Sequence, residues 1–179
     1  MTAGATVYAV AIELSDADRG VYQSFELRLA RHPSETPEFM LARVLAYCLE
    51  YQDGIELTDG IAAVDQPAVL VKDLTGRITA WIEVGAPAAE RLHRGSKQAA
   101  RCAVYTHRDP APWLAQLAGG KIHRAADIPV YSFDRAFVAE AAAALARRAK
   151  LALSVTGHHL YLDVDGRSFE SAVSTQRLA

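Results

Sequence analysis

A carboxylate stands inside an otherwise apolar run at Trp81-Ile82-Glu83-Val84-Gly85. An unpaired charge in an apolar interior costs on the order of several kcal/mol, so Glu83 must be paired, bound to a metal, or set at a cleft. Two more acids, Asp65 and Asp73, precede it in a segment expected to pair with its strand. Acids gathered beside a hairpin edge are one way of holding a divalent cation for phosphoryl transfer. Glu35 and Glu38, at the start of an expected helix, offer further carboxylates. On the basic side, Arg91, Arg94, Gln98 and Arg101 follow at spacings of three, four and three, which expects them on one helical face. Lys97 lies beside that stripe, and such a row suits contact with phosphate oxygens.

Each of these residues also has a plainer reading. Glu83 fits a structural acid bridged to an arginine of the neighbouring helix. Asp65 and Asp73 taken singly fit turns closed by their own carboxylates, and Glu35 and Glu38 fit the acid preference of helix N-termini. The basic stripe fits a solvated helix face. His158 and His159 are expected on opposite faces of a strand, and His93, His107 and His123 lack a ligand partner at helical spacing. Cys48 and Cys102 show no metal spacing and read as small core residues. No phosphate loop, dinucleotide fingerprint or nucleophile elbow occurs.

The elements that must position these groups follow from periodicity and turn residues. Residues 6–14 and the stretch from Val21 alternate as an antiparallel hairpin around Ser15–Gly20. The His32–Pro37 segment stops it and starts a helix, capped by Ser34 or Thr36 and running to about Gln52. Its apolar residues nearly encircle it, which expects cover on more than one side. Short strands follow at 55–58, 68–72 and 77–85, then a helix at 88–101 and a strand at 102–106. A short helix near Trp113, a strand at 128–132, and an Ala-rich helix from Asp134 through Lys150 come next. Thr156-Gly157 and Asp165-Gly166 mark turns of a C-terminal hairpin system.

With 179 residues, 51% of them hydrophobic, the chain can bury one substantial core, and a single domain over 1–179 is expected. Its core spans about 34–108, with flanking hairpins at 6–31 and 151–173. A formal charge of −2 argues against a dedicated nonspecific DNA binder and leaves a local basic face open. The start of the chain lacks the charged head and apolar run of a signal peptide, and no window reaches the ~20 apolar residues of a membrane helix. A soluble cytoplasmic protein without membrane contact is the expectation.

The middle elements run in the order αβββαβ within an α+β chain. That is the core order of the restriction-endonuclease-like, PD-(D/E)XK nuclease superfamily. With Ala30-Arg31-His32-Pro33-Ser34-Glu35-Thr36, Asp65-Gln66-Pro67 and the Trp-Ile-Glu-Val-Gly string, the chain closely resembles the YaeQ family nearly end to end. The resemblance implies a restriction-endonuclease-like core with N- and C-terminal antiparallel hairpin extensions. By position, Glu83 resembles the third-strand acid and Asp65, over Asp73, the second-strand acid. Those two with Glu38 would hold Mg²⁺ or Mn²⁺, with Asp65, Glu83 and Lys97 as catalytic groups. Arg91, Arg94, Gln98 and Arg101 would bind nucleic acid. The departure is Gly85, where the motif calls for the lysine that orients the attacking water and steadies negative charge. Lys97, Lys72 or an arginine would have to replace it. Two expectations follow: a metal-dependent phosphodiester hydrolase of unassigned substrate, or a non-catalytic nucleic-acid- or protein-binding module. Carboxylates of Asp65 and Glu83 converging beside a cation favour the first; Glu83 tied up by arginine favours the second.

Overall fold

The computed structural model describes residues 4–62 and 64–179. Met1–Ala3, part of the stretch read for a leader peptide, lie outside the described residues. Strands β1 (Thr6–Asp16) and β2 (Val21–Arg31) form the expected hairpin, paired from Thr6 with Arg31 to Asp16 with Val21. Alternation turns Val10, Ile12, Leu14, Leu27 and Leu29 inward.

Helix α1 (Pro37–Leu49) starts where the Thr36 hydroxyl accepts the Phe39 N–H at 3.1 Å, with Pro37 in the first turn. Every residue from Met40 to Ala46 is buried, a run longer than one helical turn, so α1 has no open face there. Strands β3 (Ile55–Leu57), β4 (Val69–Lys72) and β5 (Ile78–Val84) form an antiparallel meander. Helix α2 (Ala89–Gln98) returns the chain to β6 (Arg101–Thr106), which runs parallel to β5. Helix α3 (Ala111–Leu117) leads to β7 (Pro129–Phe133), parallel to β6. Helix α4 (Arg135–Ala144) and strands β8 (Arg148–Thr156), β9 (His159–Val164) and β10 (Arg167–Arg177) complete the chain.

Three helix ends differ from the sequence expectation, the first being α1, which closes at Leu49 rather than about Gln52. Helix α2 ends at Gln98 because Ala99 is already extended (φ −123°, ψ 146°), which makes Arg101 a strand residue. Helix α4 ends at Ala144 rather than Lys150: residues 148–150 join β8, which pairs in parallel with β1 from Ala9–Arg148 to Asp16–Val155. Ladder hydrogen bonds and burial of Ala149 and Leu151 override the helix preference of the alanine run. The same pairing joins the N-terminal hairpin to the C-terminal strands, a contact absent from local sequence signals.

The fold is mixed α/β, with one ten-stranded sheet in the order β2-β1-β8-β9-β10-β7-β6-β5-β4-β3. Strand β10 connects its halves: residues 167–172 pair with β9 and residues 173–177 with β7. The larger core gathers α1, α4 and the inward faces of β1, β2, β8 and β9 against β4–β6. A second core, with Trp81, Leu92, Val104, Trp113 and Val130, holds α2 and α3 on the other face of β5–β7.

Candidate functional site

Strand alternation puts Ile82 and Val84 in the larger core and Trp81 and Glu83 on the α2 face of β5. Helix α2 approaches closely because residue 95 is glycine, where a Cβ would overlap the Trp81 ring. That approach brings Arg91 onto Glu83. Glu83 Oε1 accepts the Trp81 indole N–H at 2.9 Å and the Arg91 Nε–H at 3.1 Å, with Arg91 Nη2 at 3.0 Å. Glu83 is 4% exposed, and burial raises its carboxyl pKa even though Arg91 and the indole pull it down. Arg91 also donates to the carbonyls of Val64 (2.9 Å) and Gln66 (2.7 Å), which tethers the loop carrying Asp65.

Asp65 meets a different cation. Its carboxylate lies 3.6 Å from Arg94, with the Asp65 side chain 89% exposed, so the pair is solvated and weak. Asp65 and Glu83 thus both reach α2, each through its own arginine. A cleft of about 270 Å³ opens beside Glu83 and Arg91, walled by Phe39, Ile61, Ala68 and Pro87. Glu38, in the first turn of α1, lies near His107; its charge counters the lowering of that buried imidazole's pKa by desolvation. Among the described residues no three His, Cys, Asp or Glu side chains gather as a metal-holding group.

The other expected site residues divide cleanly. Arg101 leaves the basic stripe: with α2 ended at Gln98, its guanidinium binds Glu50, a residue of the larger core's side. Lys97 and Gln98 are exposed in the last turn of α2. Lys72 pairs with Glu56 at 3.5 Å across the β3–β4 edge. Asp73 is a turn residue, its Oδ1 accepting from the Thr75 hydroxyl and from the Thr75 and Arg77 amides. Those bonds hold its carboxyl below the ordinary range. Glu35 is a structural acid: both it and Arg43 are fully buried, with Arg43 Nη2 donating to Oε1 at 2.9 Å and Nε 2.7 Å from Oε2.

Gly85 has φ +92°, and a Cβ there would lie 3.0 Å from the Phe39 ring. Its backbone conformation and its neighbour therefore both oppose a lysine at that position.

Against known proteins, the family model described as YaeQ protein matches residues 1–173. The chain belongs to the YaeQ family. It is 30% identical over 172 residues to the uncharacterized YaeQ protein of Escherichia coli (strain K12), covering 95% of this chain and 94% of that one. The crystal structure of YaeQ protein from Pseudomonas syringae superposes with a TM-score of 0.86 at 29% identity, covering 99% of this chain and 97% of that one. YaeQ protein from Xanthomonas axonopodis pv. citri gives a TM-score of 0.87 at 26% identity, covering 96% and 98%.

The YaeQ-family strings that carry the sequence resemblance have structural work in this chain. In Arg31–Thr36, Arg31 donates to the Glu35 carbonyl at 2.8 Å, Ser34 meets the His32 ring at 2.6 Å, Glu35 binds Arg43, and Thr36 caps α1. Two charged residues passed unremarked in the sequence. Arg43 is signalled only by standing inside an apolar helix run. Glu50 is 5% exposed and takes two bonds from Arg101 (3.0 and 2.6 Å) and one from the Tyr105 hydroxyl (2.8 Å). No spacing in the sequence links those three residues.

Proposed function

We propose that this YaeQ-family chain is a non-catalytic member of the restriction-endonuclease-like fold, cytoplasmic, that binds a nucleic-acid backbone through the outer side of α2. The chain order α1-β3-β4-β5-α2-β6, with β6 parallel to β5, supports the fold assignment. The Glu83–Arg91 pair carries the functional reading. An arginine already neutralises the acid that would ligate Mg²⁺ or Mn²⁺, and Asp65 faces Arg94, so this donor set does not fit the metal. Gly85 supplies no cation, and arginine makes a poor general base.

What remains is a surface for phosphate. Arg94 and Lys97 are exposed on α2. The adjoining 121–124 segment brings Lys121 and His123, tied to α2 by the His123 N–H to His93 Nδ1 and by Arg124 to the Ser96 and Ala99 carbonyls. Glu90 and Asp65 dilute the positive field, and the chain's net charge is −2, so binding is weak and salt-sensitive. Fluorescence anisotropy on labelled duplex and single-stranded DNA and RNA tests this. The expected result is binding that falls with salt, its log–log slope reduced by about one in Lys97→Ala. Absence of salt-dependent binding to all four ligands would overturn it, as would Mn²⁺-dependent cleavage that Glu83→Gln abolishes.

A further inference from the structure

A cavity of about 380 Å³ opens on a different part of the molecule, where the β1–β2 turn, the end of α1, and strands β6, β7 and β10 meet. Leu49, Val155 and Val173 give it an apolar wall. Its polar wall includes Glu50, Gln52, Arg101 and Tyr131, with Asp18, His158 and the Arg19–Asp16 pair at one side. That volume lies in the range of small-ligand sites, and an apolar wall with a few convergent polar groups is their usual composition.

The hydrogen-bonding capacity of this wall is lopsided. Glu50 Oε1 accepts from Arg101 Nη2 and Tyr105, and Oε2 accepts from Arg101 Nε. Asp18 accepts the amides of Gly157 and His158, and Asp16 accepts from Arg19. Arg19 also donates to the Cys48 and Tyr51 carbonyls, so the carbonyl end of α1 is covered. Each carboxylate oxygen of the wall thus already accepts a hydrogen bond. The donors are not all spent: Arg101 binds Glu50 side-on through Nε and Nη2, and Nη1 has no acceptor among the described residues. Tyr131 accepts from Arg101 at 3.2 Å, which leaves its own hydroxyl hydrogen unspent. The Arg101 side chain is 40% exposed, so a ligand can reach it.

We propose that this cavity binds a small organic acid, its carboxylate held by Arg101 Nη1 and the Tyr131 hydroxyl and its hydrocarbon laid on Leu49, Val155 and Val173. With Nε and Nη2 spent on Glu50 and Tyr131, the guanidinium still has Nη1 to offer a second carboxylate, and the neighbouring Tyr131 O–H makes the second contact. An amine of the same shape meets carboxylates whose oxygens each already accept a hydrogen bond, and a neutral amide forgoes the charge-assisted bond.

Methyl-resolved NMR of the full chain tests the proposal, with benzoate and 3-methylbutanoate as probes and benzylamine and benzamide as controls. At least one acid is expected to shift the Leu49, Val155 and Val173 methyls saturably. Tyr131→Phe, which keeps the ring stacked on Tyr105, should weaken that acid about fivefold. Arg101→Lys, which keeps a cation for Glu50, should weaken it about tenfold or more. If Arg101→Lys fails to fold, Tyr131→Phe alone decides. Silence of those methyls up to about 10 mM of both acids overturns the proposal. So does tighter binding of benzylamine, or undiminished binding by Tyr131→Phe.

Discussion

Glu83 shows how far a single residue can be read. That a carboxylate in an apolar strand needs a partner follows from its desolvation cost, and the sequence narrowed that partner to a metal or an arginine of the next helix. Which one it is depends on how close α2 lies, and that is set by Gly95 against Trp81, a contact between residues fourteen positions apart. Gly85 carries a sharper message. At φ +92°, with Phe39 beside it, the position is built for a residue without a side chain. Gly85→Lys, which sets a lysine two positions after Glu83, should therefore cost about 1–3 kcal/mol in urea unfolding and confer no cleavage of DNA or RNA. A Gly85→Lys variant as stable as the parent would show that the backbone relaxes freely there.

At the level of elements, hairpins and caps were legible because their signals are local. Asp165-Gly166, both at positive φ, turn the chain where the dipeptide says they should, and Thr36 caps α1 as its type suggests. Elements failed where a distant strand intervened: the Ala-rich run after Asp134 loses its last residues to β1, and Arg101 loses helical placement to the β5–β6 ladder. The buried Arg43 fixes α1 to the preceding segment through Glu35 and the Ala30 carbonyl, and to the segment after β3 through the Thr58 carbonyl. Arg43→Met should lower stability by about 3–5 kcal/mol, because it leaves the Glu35 carboxylate buried without its cation. Glu35→Gln combined with Arg43→Met should recover part of that loss in the same denaturation assay, and no recovery would mean that lost packing rather than charge dominates.

On the scale of the molecule, β10 is the strand that ties both halves of the sheet. Val173 sits where it changes neighbours, donating its N–H to the His158 carbonyl at 2.8 Å while standing opposite Phe133. Val173→Pro removes that donor and should cost on the order of 2–4 kcal/mol. Tryptophan fluorescence reports the α2–α3 side through Trp81 and Trp113, and methyl signals of Leu153 and Leu162 report the hairpin side. Both midpoints should fall together in Val173→Pro. A fall in only one would show that the two halves unfold independently.

The parallel seam between β1 and β8 has a consequence for biosynthesis. Ala9 leaves the ribosome long before Arg148, its eventual neighbour, has been translated. At ordinary elongation rates the delay is on the order of ten seconds. Throughout that interval the nascent hairpin keeps one bare flank beside Val10, Ile12 and Leu14, a template that any passing extended peptide can occupy. Correct assembly of this protein is therefore a race between its own late-arriving strand and its neighbours in the cell.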